Sequence, residues 1–172
     1  MNATQDFIGE IVHAELVKAA IKSVENAMMM CGCNSRCVSV SAIPSGDSRL
    51  ITGMIGLHGR VTGFATVNMS EQVALKTVGG LLQEQHDKLC TQVVDGAGEL
   101  TNIIVGGIKS QLAGSRWAFN YMTTPSVIIG GGYQIAFGNG LDFMAATFEI
   151  EDKESIMIEE RLLTISLSLL TI

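Results

Sequence analysis

Apolar positions recur along this chain with two different periods, and each switch of period marks an element. From Phe7 to Met30, Ile8, Ile11, Val12, Leu16, Ala19, Ala20 and Val24 return at close to the helical period of about 3.6 residues, so this stretch reads as an amphipathic helix. The glycine-containing stretch 31–37 ends it. Val38 to Ile43 alternates as a strand does, and Pro44 and Gly46 break it. Leu50–Leu57 and Arg60–Met69 read as two strands joined at His58-Gly59, with glycine supplying a positive φ at the turn. Ser70 is a good N-cap for a short helix that runs to about Gln85. A second long helix is expected from Thr91 to about Gly114. Strands follow at Trp117–Thr123, Ser126–Ile129, Tyr133–Phe137, Leu141–Ile150 and Ser155–Leu169, with Asn139-Gly140 as the clearest hairpin turn. In the last strand Leu163, Ile165, Leu167 and Leu169 face one way, and Thr164, Ser166 and Ser168 the other.

The order is helix, strand, hairpin, short helix, then long helix, strand, hairpin and a final strand. It reads as one αβ unit used twice, with internal halves of roughly 1–88 and 89–172 inside a single domain 1–172. No Gly/Ser-rich linker divides the halves, so they are expected to share one sheet. Short connections favour antiparallel pairing. The fold class is α+β, with the long helices packed on one face of a continuous, largely antiparallel sheet.

Composition narrows the functions this fold could serve. Hydrophobic residues make up 47% and charged residues 16% of the 172 positions, so a large core or an apolar interface is expected. No stretch reaches the roughly 18 uninterrupted apolar residues of a membrane span. Asp6 and Glu10 precede any apolar run and no basic region stands before them, so no signal peptide is expected and the protein reads as cytoplasmic. The net charge is −6 and lysines and arginines are scattered singly, which argues against nucleic acid. Cys31, Cys33 and Cys37 stand close together, but a tetrahedral site needs a fourth ligand and no histidine has the spacing to supply it; the expectation is reduced thiols and no metal.

One stretch carries the candidate chemistry, VVDGAGELTNIIVGGIKSQL at 93–112. On a helical wheel Ala97, Leu100, Thr101, Ile104 and Ile108 fall on one side. Asp95, Glu99, Asn102, Gly106 and Lys109 form a row along the opposite side. Glycine inside a helix costs roughly 1 kcal/mol against alanine. A helix accepts it where another chain must come close to its backbone. The row therefore reads either as a solvated face or as a flat polar face that a partner docks on.

With its glycine, Asp95-x-x-x-Glu99-x-x-Asn102 resembles the motif of the CheC, CheX and FliY phosphatases of bacterial chemotaxis. Residues 63–70 (GFATVNMS) are similar to the family's strand leading into a helix, and residues 124–130 (TPSVIIG) to its proline-led strand. The resemblance covers nearly the whole chain. It implies hydrolysis of the aspartyl phosphate of a CheY-like response regulator, with Glu99 and Asn102 as catalytic residues. Asn102 would orient the attacking water, and Glu99 would dock to the receiver's lysine. Asp95, Gly106 and Lys109 would complete the partner-binding face. No cofactor of the protein's own is implied; Mg²⁺ belongs to the receiver. The alternative is a non-catalytic receiver-binding or dimerisation module of the same fold.

The first helix repeats the pattern in part. Asp6, Glu10 and His13 stand at the same mutual spacing as Asp95, Glu99 and Asn102, with histidine in place of the carboxamide. That reads as a degenerate second site. One intact site per chain resembles the CheX arrangement, which implies a homodimer.

Overall fold

The computed structural model describes residues 13–43, 50–131, 140–152 and 155–171. Its elements, in chain order, are α1 (Ala14–Met30), β1 (Ser35–Ser41), β2 (Ile51–Gly59), β3 (Val61–Met69), α2 (Glu71–Leu82), α3 (Thr91–Gln111), β4 (Phe119–Met122), β5 (Ser126–Ile129), β6 (Asp142–Ile150), a 3₁₀ turn (Ile158–Arg161) and β7 (Leu162–Thr171). Residues 7–12 of the expected first helix, the expected strand Tyr133–Phe137 and Asn139 of the expected turn lie outside the described residues.

All seven strands join one antiparallel sheet in the order β1-β6-β7-β3-β2-β4, with β5 beside β4 on β2. The two halves of the chain are threaded through each other. The outer strand of the first half, β1, pairs with β6 of the second; the outer strands of the second, β4 and β5, pair with β2 of the first. The β1–β6 and β2–β4 pairings each carry one irregularity in the ladder, between Cys37 and Ser39 in β1 and between His58 and Gly59 in β2. β3 and β7 meet at the middle, with Ala65 opposite Leu167 and Thr66 opposite Ser166.

Helices α1 and α3 cover one face of the sheet. Beneath them Ile51, Ile55, Ala65, Val67, Ile165, Leu167, Ala146 and Phe148 are fully buried. Each such Ile, Leu, Val or Phe contributes about 1.5–3 kcal/mol by leaving water. Leu163, Ile165, Leu167 and Leu169 all point into this layer, as their alternation predicts. Thr164 and Ser168, on the other face, are buried as well. β7 is an inner strand flanked on both sides, and Thr164 Oγ1 lies 2.9 Å from Thr147 Oγ1 across the ladder.

The start of α2 and the end of α1 fall where the sequence places them. Ser70 Oγ accepts from Val73 N at 3.0 Å, the N-cap of α2. α1 closes in a Schellman turn. Gly32 takes the left-handed conformation (φ 67°), Gly32 N donates to Met29 O, and Cys33 N donates to Met28 O. This places Cys31 and Cys33 inside the core rather than in an open loop. Burial pushes the Cys31 thiol up to about 11, with Cys33 beside it adding to the effect. Burial likewise raises Cys33 and Cys37.

Two expectations need correction. The β2–β3 reversal centres on Arg60, and Gly59 is not in the left-handed region. Its lack of a side chain serves close approach instead, because a Cβ there would stand 2.5 Å from Phe119 Cα of β4. The final strand begins at Leu162 and not at Ser155. Ile156, Met157 and Ile158 are exposed with no sheet partner among the described residues, and Ile158–Arg161 closes as a 3₁₀ turn before pairing starts.

Glycine also sets how close α3 comes to the sheet. A Cβ on Gly53 would overlap Thr101 Oγ1, which is buried and donates to Ala97 O at 2.8 Å. Gly53→Ala is therefore expected to destabilise the protein by about 1–3 kcal/mol through overpacking. At roughly 2–4 °C per kcal/mol the loss is visible in a melting curve. Thr101→Ala on that background should recover part of it, and an unchanged midpoint in Gly53→Ala would show that the contact is not tight. The thiols give a second check. At pH 8 Cys31 and Cys33 should resist iodoacetamide in the native protein and react once it is unfolded; rapid native labelling of Cys31 would contradict the burial described.

Candidate functional site

Helix α3 lies with Ala97, Leu100, Thr101, Ile104 and Ile108 fully buried against the sheet. Asp95, Glu99 and Asn102 are exposed along its outer side, and Gly106 and Lys109 are half-buried on the same row. The division follows the wheel, because one side of a helix can touch a sheet while residues three and four apart share the other. Among the described residues, no hydrogen bond or ion pair engages the side chains of Asp95, Glu99, Asn102 or Lys109. Lys109 stands in the last turn, where a cation also complements the helix dipole.

The four glycines of this helix separate into two kinds. A Cβ on Gly96 would strike the side chain of Val78 in α2. One on Gly107 would press on Ser23 of α1 at 3.0 Å, and one on Gly98 would rest on Val127 at 3.4 Å and Pro125 at 3.8 Å. These three glycines lie where α3 crosses its neighbours. At Gly106 a Cβ would meet nothing within 4 Å. No neighbour among the described residues requires that glycine, although it carries the same helix cost of about 1 kcal/mol.

The first part of the row, from Asp95 to Asn102, therefore faces solvent on a helix. A carboxylate at Glu99 and a carboxamide at Asn102 sit about one turn apart on one rigid helix. A carboxamide oxygen accepts from water while its NH₂ donates, and a carboxylate receives a cation.

Of the partial repeat in the first helix, Asp6 and Glu10 lie outside the described residues. His13 is the N-cap residue of α1, and its ring is fully engaged. Arg116 Nη2 lies 3.0 Å from Nδ1, and Asp142 Oδ1 lies 3.0 Å from Nε2. Arginine can only donate, so Nδ1 accepts and Nε2 carries the proton toward Asp142. The ring leans on Trp117 with centroids 4.4 Å apart, and the Arg116 guanidinium stands 4.7 Å over the same indole. Arg116, Trp117 and Asp142 thus tie the start of α1 to the segment after α3 and to β6. They are distant in sequence from His13, and nothing in the local pattern announces them.

Among the described residues no group of three or more His, Cys, Asp or Glu is placed to hold a metal ion. No described helix is long and apolar enough to cross a membrane.

Comparison with solved structures gives the fold its name. The chain is similar to the chemotaxis protein CheX of Vibrio vulnificus, with a TM-score of 0.76, 24% identity, and 91% of this chain and 99% of that chain covered. A CheC-like superfamily protein from Shewanella matches with a TM-score of 0.76 and 22% identity over 92% and 99% of the two chains. The structure of a CheX-CheY-BeF3-Mg²⁺ complex from Borrelia burgdorferi matches with a TM-score of 0.71 and 18% identity over 90% and 97%. The architecture is the CheC-like fold, α+β with a large antiparallel sheet. Comparison with curated proteins finds no match. The family model described as "Chemotaxis phosphatase CheX" matches residues 51–149, more than half of the chain and the span that contains α3, and on that match the chain belongs to the CheX family.

Proposed function

We propose that this protein hydrolyses the aspartyl phosphate of a CheY-like response regulator, with α3 as the face that enters the receiver's active site. The observation that carries the reading is the outer row of α3. Glu99 and Asn102 are exposed and unengaged among the described residues, and Gly106 beside them has no packing reason to be glycine. Membership of a family described as a chemotaxis phosphatase supports it, as does a related CheX whose structure is titled as a complex with CheY.

The division of labour follows from what each group can do. An acyl phosphate in a receiver is already activated and its Mg²⁺ belongs to that receiver, so the phosphatase supplies position. Asn102 holds a water in line with the phosphorus. The water oxygen bonds to phosphorus as the bond from phosphorus to the aspartyl oxygen breaks. The carboxylate departs with the electron pair, and the water's proton ends on phosphate or solvent. Orientation of this kind dominates phosphoryl transfer. Glu99 pairs with the receiver's active-site lysine and fixes the approach. Asp95 and Lys109 contact the receiver at the ends of the row, and Gly106 lets it come close. Such a protein works in the cytoplasm beside its receiver.

We also propose that two copies associate. β1 is the last strand at its end of the sheet among the described residues, and Val38 and Val40 along it and Ile43 just after it are exposed. An open apolar edge favours pairing with another strand.

Asn102→Ala should lower kcat for phosphate release by about 100-fold or more, a loss the size of removing one transition-state group, while binding to the phosphorylated receiver survives. Glu99→Lys should weaken that binding. Gly106→Ala should raise the melting midpoint, since alanine is the better helix former, and yet lower kcat/KM. Phosphate release unchanged from wild type in all three variants would move the catalysis to a different face, and a wild type that binds the phosphorylated receiver without speeding its release would leave a receiver-binding module. Sedimentation should show a dimer that Val40→Lys dissociates; a monomer at every concentration would contradict association through this edge.

A further inference from the structure

Beyond the helix row, the flank that α3 shares with β5 carries an exposed apolar residue, Ile129, that the fold does not use. Its register places it. Ile129 pairs with Ile51, so both point to the helix-covered face of the sheet. Ile51 lies under that cover and is fully buried, whereas Ile129 is 50% exposed. The difference is one of position: β5 pairs only with β2 among the described residues, so no described strand covers its other edge.

The helix shows which part of the site adjoins this flank. Gly98 is the α3 residue that faces β5, resting on Val127 and Pro125. Turning about 100° per residue from there, Asn102 lies only about 40° round the helix and Glu99 about 100°. Asn102 is thus the member of the pair on the β5 side. A partner that brings its phosphoryl group to Asn102 overhangs this flank, and the exposed side chain there on the helix side of the sheet is isoleucine.

We infer that Ile129 is a specificity-determining contact for the receiver, seating an apolar side chain from the rim of the receiver's phosphorylation site while Asn102 and Glu99 engage its centre. This rests on the reading of α3 as the docking face. It assigns to Ile129 ground-state binding and no part in the chemical step. An apolar contact at the edge of an interface discriminates between receivers by the residue they present, and a charge placed there acts as a repulsive element. A second copy of this chain is the other candidate occupant, and the test separates the two.

The measurement is steady-state phosphate release from the host's phosphorylated receiver by the wild type, Ile129→Thr and Ile129→Lys, with sedimentation of each protein. Threonine keeps the β-branched shape that suits a strand, so it separates the lost contact from a damaged edge. Ile129→Lys should raise KM about tenfold and Ile129→Thr about threefold, with kcat within about twofold of wild type in both, the pattern of lost uniform binding. An unchanged KM in both variants of an active protein overturns the inference and leaves the docking face intact. A fall in kcat at constant KM also overturns it, since Ile129 would then act in the chemical step. Dissociation of a dimer by Ile129→Lys with KM unchanged assigns the residue to the second copy and overturns it as well. A wild type that releases no phosphate from any receiver overturns both the inference and the reading beneath it.

Discussion

The close seating of α3 on the sheet is the constraint on which the rest depends. Thr101 reaches the sheet at a point where β2 has glycine, Gly53, and any side chain there would occupy the place of the threonine hydroxyl. The same helix presses Gly107 onto Ser23 of α1, Gly96 onto Val78 of α2 and Gly98 onto the β5 flank. A helix held on so many sides cannot rotate about its axis without steric overlap. Its burial stripe is therefore fixed, and with it the side that remains in water. Asp95, Glu99 and Asn102 owe their exposure to contacts made elsewhere on the helix.

This seating also explains the cost in glycine. Two of the four glycines in α3, Gly96 and Gly107, are accounted for by neighbours within the chain; a Cβ on Gly98 would make ordinary contact, and one on Gly106 would meet nothing within 4 Å. Packing sacrifices helix propensity at Gly96 and Gly107 to gain close approach. At Gly106 no described residue gains from the missing side chain, which is the feature the proposed docking of a partner rests on. The contrast with the first helix points the same way. His13 has Arg116, Asp142 and Trp117 around it, so its ring is spent on holding three segments together. Asn102, at the same place in the repeated pattern, has no such partners among the described residues. Of these two positions, only the second carries a side chain without a partner among the described residues.

Much of this was legible in the sequence, for a physical reason. The burial stripe of α3 and the alternation of β7 are periodic, and periodicity survives any arrangement of the remaining chain. The cap at Ser70 is local and was equally readable. What could not be read are contacts between distant segments. Gly59 looked like a turn glycine because its neighbour in space, Phe119, is far off in sequence. Ile156 to Ile158 read as the start of a strand because apolar residues usually are, yet no strand among the described residues lies beside them to pair with. Cys31 and Cys33 looked like loop thiols until the Schellman turn at Gly32 folded them inward. The candidate row was found from spacing, whereas the engagement of His13 depended on residues more than a hundred positions away.

The central claim is that the outer row of α3 turns over an aspartyl phosphate rather than merely binding a receiver. The most direct test is the lifetime of each phosphorylated receiver of the host, isolated and then mixed with a substoichiometric amount of this protein. The account predicts that at least one receiver loses all its phosphate, with many phosphates released per copy of the protein. Receivers that keep their intrinsic lifetimes, or that lose no more phosphate than the protein added, would contradict it.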